Sequence, residues 1–224
     1  MSQSLVSPAL RQRVRGLAVP VALALGRLGL TPNALTVIGF VGTCVAAFAA
    51  ASELWLIAGI LVLVFGIFDL FDGALARATG RTSKFGAFLD STLDRTGESL
   101  VLAGVAFASN QAAFPIGTAL ALLALVLAPI VTYTRARAEA LGVLGDVGIA
   151  PRPERLVLLS IGLILGGVGG VCGAFDCFYF GQSGVGNLPL GLALGLIALL
   201  SAITIVQRIV HVRRQLDSQQ QENE

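Results

Sequence analysis

A chain of 224 residues with 55% hydrophobic and 12% charged residues cannot clothe a soluble globule in polar surface. Its mean hydropathy of +0.85 points to an integral membrane protein, and no nucleic-acid partner is expected. Three cysteines are too few for a disulfide framework and lack metal-site spacing.

Residues 1–30 open with arginines, and the run from Leu17 to Leu25 imitates the apolar part of a signal peptide. Pro20, Gly26 and Arg27 interrupt it, and no small-residue cleavage site precedes the next helix. The segment therefore reads as an amphipathic helix in the cytoplasmic interface, its arginines toward lipid phosphates. Thr31-Pro32-Asn33 then starts a new helix, with Thr31 or Asn33 as its cap.

A spanning helix needs roughly 20 mostly apolar residues. Six stretches qualify: 34–51, 54–78, 85–110, 116–138, 153–175 and 188–212. Ser52-Glu53, residues 79–83, Asn110-Gln111, residues 142–152 and residues 176–187 separate them with turn signals. The fold class expected is an all-α membrane protein with six transmembrane helices in one domain, 31–214. A Gln-, Glu- and Asn-rich tail, 215–224, should be disordered.

With those spans, all 15 cations fall on one side. Arg11, Arg13, Arg15 and Arg27 precede the first span; Arg77, Arg81, Lys84 and Arg95 surround the second turn; Arg135, Arg137, Arg152 and Arg155 surround the fourth; Arg208, Arg213 and Arg214 end the last. The opposite side carries Glu53 and Asp176. The positive-inside rule places both termini at the cytoplasmic face. Near the other face, Cys172 and Cys177 could pair, although two buried thiols is the simpler reading. His211, the single histidine, reads as an interfacial side chain.

Against this apolar background stand Asp69, Asp72, Asp90 and Asp94. Acids inside spanning helices are costly and point to function. Asp69 and Asp72 are three apart, Asp90 and Asp94 four apart, so each pair shares one helix face. At about 1.5 Å rise per residue from a turn near Gly80, the pairs reach similar depth. Four carboxylates then meet in a recess open to the cytoplasm. Charges about 5 Å apart repel by roughly 3 kcal/mol at an effective dielectric of 20, so such a recess calls for cations. Carboxylates without histidine or thiolate are hard ligands suited to Mg²⁺, Mn²⁺ or Ca²⁺, and four suit a pair of ions acting on a phosphoryl group.

Gly73 and Ala76 share the surface of Asp69 and Asp72. Small residues there either admit a ligand to the backbone or let two helices pack closely, and spacing does not choose between them. Arg77, one turn outside, is placed to hold a phosphate or an aspartate. Thr82 and Ser83 border the opening. Glu98, one turn past Asp94, is explained by pairing with Arg95 or with an arginine of another helix.

Asp69, Asp72, Gly73, Ala76, Arg77, Gly86, Asp90 and Asp94 together spell D-x2-D-G-x2-A-R-x8-G-x3-D-x3-D. This resembles the signature of the CDP-alcohol phosphatidyltransferase family, with every specified position matched. The resemblance implies a dimeric membrane enzyme that displaces CMP from a CDP-linked lipid with an alcohol hydroxyl. It implies two Mg²⁺ ions (or Mn²⁺) on Asp69, Asp72, Asp90 and Asp94, with Asp94 also the general base. It further implies that Asn33, Thr36, Gly73, Ala76, Arg77 and Ser83 hold the CDP-diacylglycerol head.

The acceptor is read from the remaining helices. Arg135, Arg155 and Arg208 come from three spans to the depth of the carboxylates, and such a cluster favours an acceptor that carries phosphate. The run 133–140 and the Arg-Pro-Glu-Arg at 152–155 resemble the branch of the family that uses inositol phosphate. That implies inositol 1-phosphate as acceptor, lined by Thr132, Arg135, Pro153, Arg155 and Arg208. Glycerol 3-phosphate satisfies the same electrostatics. A divalent-cation transporter is the alternative of another class, but it would carry acids through both halves of the bilayer.

Overall fold

The computed structural model describes residues 8–149, 151–171, 179–180 and 186–222. Helix α1 (Pro8–Arg27) leads through a turn at Gly29, whose φ of +89° favours glycine, into α2 (Pro32–Ala51). Thr31 caps α2: its Oγ1 accepts from the Ala34 N–H at 3.2 Å, and Pro32 occupies the first turn where no donor is needed. Then follow α3 (Trp55–Gly66), α4 (Phe68–Ala78), α5 (Lys84–Gln111), α6 (Pro115–Ala140) and α7 (Arg152–Val171). A two-residue antiparallel pair, β1 (Tyr179–Phe180) with β2 (Gly186–Asn187), precedes α8 (Leu188–Glu222). Cys172 and Cys177, read as buried thiols that could alternatively pair, lie outside the described residues, while Cys44 is a free thiol on α2.

Among the described residues, four stretches are long and apolar enough to cross a membrane: Pro32–Ala51, Trp55–Ala78, Pro115–Ala140 and Leu188–Gln221. Helix α5 is long enough, but Asp90, Asp94, Arg95 and Glu98 crowd its first half with charge. Two details differ from the sequence expectation. The second span is not one uninterrupted helix: at Ile67 the ladder tightens, with Leu70 N–H donating to Ile67 O at 2.9 Å, and α4 begins at Phe68, immediately before Asp69. The tail after Arg214, expected to be disordered, continues α8 to Glu222. Gln215 holds it by donating to Leu144 O at 2.7 Å and accepting from Leu144 N–H at 3.2 Å, and Gln and Glu are good helix formers.

The helices close into a ring. Helix α2 packs on α3, α3 on α7, α7 on α8, α8 on α6, α6 on α5 and α5 back on α2, while α4 leans on α2 and carries α1. The interior of the ring is built from small residues: Ala46, Ala50, Ala58, Ala121, Ala124 and Ala128 are all fully buried, alongside Leu159, Leu163, Leu190 and Leu194. Without a hydrophobic drive between helices in lipid, close backbone approach is what holds them. A Cβ added at Gly104 would stand 2.5 Å from Ala47 O, so α2 and α5 touch almost backbone to backbone. Large apolar side chains point outward instead, among them Val41, Val45 and Phe48 of α2 and Leu192, Leu199 and Val206 of α8. That inversion suits a lipid-facing surface.

Candidate active site

Ser83 starts α5 by accepting from the Gly86 N–H at 2.9 Å. The turn before it places Gly80 at φ +65°, so the chain reverses tightly and α5 returns beside α4. This reversal brings Asp69 of α4 against Asp90 and Asp94 of α5. One carboxylate oxygen from each lies within 4.8 Å of the other two. Hard oxygen donors in this number fit a divalent ion such as Mg²⁺ or Mn²⁺.

Asp72 stands apart from that trio. It is 5% exposed and turned toward α2, where Thr36 Oγ1 donates to its Oδ2 at 2.6 Å. The expectation of four equivalent carboxylates therefore becomes three that converge and one that Thr36 anchors across the α2–α4 contact. Thr36, expected at the CDP-lipid head, thus reaches the site by way of Asp72.

A cavity of about 210 Å³ opens beside the carboxylates. Its lining includes all the residues expected to hold the nucleotide head: Asn33, Thr36, Gly73, Ala76, Arg77 and Ser83. Asp72 and Asp90 also line it, and Asp90 belongs to the converging trio, so cavity and carboxylates adjoin. Gly73 earns its place by geometry. A Cβ there would lie 3.2 Å from Arg77 Nη1, so the absence of a side chain lets the guanidinium fold closely over this turn of α4. Gly86 does the same for Asn33, whose Oδ1 would meet an added Cβ at 3.0 Å. Arg81, Pro32 and Ala87 also line the cavity, with no role assigned from sequence. A basic residue in the loop that borders the motif was the available signal for Arg81.

The expected acceptor arginines are near one another but not in one open mouth. Arg155 side chain is 1% exposed and makes a two-pronged pair with Glu98 of α5, 2.8 Å from Nε to Oε1 and 2.9 Å from Nη2 to Oε2. Glu98 does pair with an arginine of another helix. Arg208 is buried and donates from Nε to Val147 O at 2.8 Å and from Nη1 to Val131 O. Arg135 is half exposed and pairs with Glu139 along its own helix at 2.8 Å. Arg135 and Arg155 are both close enough to act on the charge of Arg208. Thr132 is half-buried next to the Val131 carbonyl, and Pro153 is exposed in the first turn of α7. The sequence placed these arginines at one level without showing that Arg155 is held by Glu98 of α5, Arg208 by the carbonyls of Val131 and Val147, and Arg135 by Glu139 of its own helix.

Arg152 is the residue that sequence reasoning passed over. From the start of α7 its Nη1 pairs with Oδ2 of Asp69 and with Oδ2 of Asp94. In sequence it is one basic loop residue among many, separated from Asp69 by 83 positions.

The profile of the CDP-alcohol phosphatidyltransferase family matches residues 29–181. The chain belongs to that family. Relatives of this phosphatidyltransferase include the phosphatidylinositol phosphate synthase of Cutibacterium acnes, 39% identical over 89% of this chain and 93% of that protein. The phosphatidylinositol phosphate synthase of Mycobacteroides abscessus is 35% identical over 87% of this chain and 82% of its own length. The archaetidylinositol phosphate synthase of Pyrococcus horikoshii is 33% identical over 93% and 97%. Among solved structures, the Mycobacterium tuberculosis phosphatidylinositol phosphate synthase in complex with manganese and citrate superposes with a TM-score of 0.74 at 31% identity, covering 87% of this chain and 88% of that one. The same synthase with CDP-DAG bound gives 0.72 at 32% identity, covering 87% and 92%. This phosphatidyltransferase is accordingly an enzyme of phospholipid biosynthesis, a helical membrane protein with a cluster of carboxylates able to hold a metal ion.

Proposed function

We propose that this phosphatidyltransferase moves the phosphatidyl group of CDP-diacylglycerol onto inositol 1-phosphate, releasing CMP. The observation that carries the reading is that Asp90 belongs both to the converging carboxylates and to the lining of the cavity beside them. The names of the relatives favour inositol phosphate over glycerol 3-phosphate, and membership of a transferase family argues against a divalent-cation transporter.

Asp69, Asp72, Asp90 and Asp94 are the residues that would hold two Mg²⁺ ions. Such ions supply charge neutralisation at the pyrophosphate and at the departing CMP. The chain's own groups do the rest. Asn33, Ser83 and Arg77 orient the head in the cavity, with Gly73 and Ala76 leaving room for it. Asp94 takes the proton from the acceptor hydroxyl as its oxygen bonds to the lipid-side phosphorus and the phosphorus–oxygen bond to CMP breaks. Thr132, Arg135, Pro153, Arg155 and Arg208 form the acceptor side. In this reading α2, the α3–α4 pair, α5, α6, α7 and α8 all span the cytoplasmic membrane. Helix α1 lies in the interface, both termini and the site face the cytoplasm, and the protein works as a homodimer.

The deciding experiment supplies purified protein with CDP-diacylglycerol, Mg²⁺ and a panel of alcohols, and follows CMP. Inositol 1-phosphate should be turned over and free inositol should be at least roughly tenfold poorer, because each charge-assisted bond to the phosphate is worth about 1.5–3 kcal/mol. Turnover of glycerol 3-phosphate in its place would move the enzyme to another branch of the family.

The cavity makes a second prediction. In Gly73→Leu the new side chain must occupy the space between Arg77 and the cavity, 3.2 Å from Nη1 at its first atom. CDP-diacylglycerol binding should fall by roughly tenfold or more, about the cost of an overpacked contact, with the fold retained. Normal binding of the CDP-lipid by a folded Gly73→Leu protein would show that this position serves helix packing alone.

A further inference from the structure

Arg152 reaches the carboxylates from the other side of the ring. Its Nη1 pairs with Oδ2 of Asp69 and Oδ2 of Asp94, which with Asp90 make up the converging oxygen group. A divalent ion and this guanidinium therefore draw on the same carboxylates. Arg95 of α5 also lies near Asp90 and Asp94, but its Nη1 donates to the Ser91 carbonyl of its own helix.

A purely mechanical role for Arg152 is already filled. Helix α7 packs chiefly on α3 and α8, and one turn further along it Arg155 ties α7 to α5 through two buried bonds to Glu98. What Arg152 adds is charge. Three carboxylates within 4.8 Å repel one another, and a single positive group between two of them relieves that repulsion. The arginine is also only partly attached: among the described residues its buried Nε has no hydrogen-bond partner, and its side chain is 22% exposed at the first turn of α7. Such a side chain can leave the carboxylates without disturbing a packed core.

We propose that Arg152 is a built-in counter-cation that competes with the divalent ion for Asp69 and Asp94, and so sets how tightly the site holds its metal. The inference rests on the metal site of the proposed function. It also predicts a sign opposite to that of a structural role. A residue that merely positioned the two aspartates would weaken metal binding when removed, whereas a competitor strengthens it.

The test uses the full chain in detergent, with Mn²⁺ as the probe and no lipid substrate, reading free Mn²⁺ by electron paramagnetic resonance. Arg152→Gln should bind Mn²⁺ roughly tenfold more tightly than wild type, since one like charge beside the ion has gone. Arg152→Lys, which keeps the charge, should stay near wild type. A second measurement needs no variant: Mn²⁺ should increase the labelling of Arg152 by phenylglyoxal in the wild-type protein, read by mass spectrometry. Weaker or unchanged Mn²⁺ binding by Arg152→Gln, or labelling that Mn²⁺ leaves unchanged or lowers, overturns the proposal while the metal site stands. Failure of the wild-type chain to bind Mn²⁺ at all overturns the metal site and the proposal together.

Discussion

Asparagine at Asp69, Asp90 or Asp94 is expected to stop CMP release, with a loss on the order of 10³-fold or more. Each substitution removes a full charge from a group whose three oxygens lie within 4.8 Å of one another, so no neighbour can take its place. Electrostatic stabilisation of the leaving group is commonly the largest contribution in such chemistry, and general-base loss at Asp94 alone costs roughly 10²–10⁴ in rate. Asp94→Asn should separate from the others by keeping more CDP-lipid binding than activity. Asp72→Asn is expected to fall by a different route, because its partner is Thr36 at 2.6 Å and its place is the lining of the nucleotide cavity. CMP release and CDP-lipid binding measured on all four variants, with and without EDTA, check the assignment. Full turnover in EDTA, or near-normal rates in any of the trio, would remove the aspartates from the chemistry.

What the sequence made legible was local. The aspartate spacing placed each pair on one helix face, Thr31 was one of the two cap candidates for α2, and Gly80 marked the reversal between α4 and α5. Each of these depends on residues three or four positions apart, within reach of helical periodicity. The ring order of the helices and the partners of the buried polar groups were not legible. Thr36 meets Asp72 across 36 positions, Arg155 meets Glu98 across 57, and Arg152 meets Asp69 across 83. Such pairs are chosen by packing, which a single chain of letters does not encode locally. The tail failed for a related reason. Its composition reads as solvated, yet one side chain, Gln215, finds both backbone groups of Leu144 and carries the helix onward. The arginine cluster shows the intermediate case: positive-inside patterning put Arg135, Arg155 and Arg208 at one level, but not which of them already held a carboxylate.

That last distinction sets the largest expected effect on stability. Glu98→Gln should lower the stability of the folded protein by about 3–5 kcal/mol, because it leaves the Arg155 charge in place while weakening its buried partner. The Arg155 side chain is 1% exposed and Glu98 6%, so water cannot take over the lost interaction. In a detergent melt this corresponds to a fall of roughly 10 °C. Arg155→Ala strands the opposite charge and should be similarly damaging. Replacing both residues with methionine removes both charges at once and should recover most of the stability, as isosteric apolar pairs often do in place of buried ion pairs. Activity should not return with it. If Arg155 contributes its charge to the acceptor phosphate, the refolded double variant keeps an inositol 1-phosphate KM raised by roughly tenfold while CDP-lipid affinity stays near wild type. A double variant with wild-type KM would make Glu98 and Arg155 a structural pair and leave the acceptor phosphate to Arg135 and Arg208.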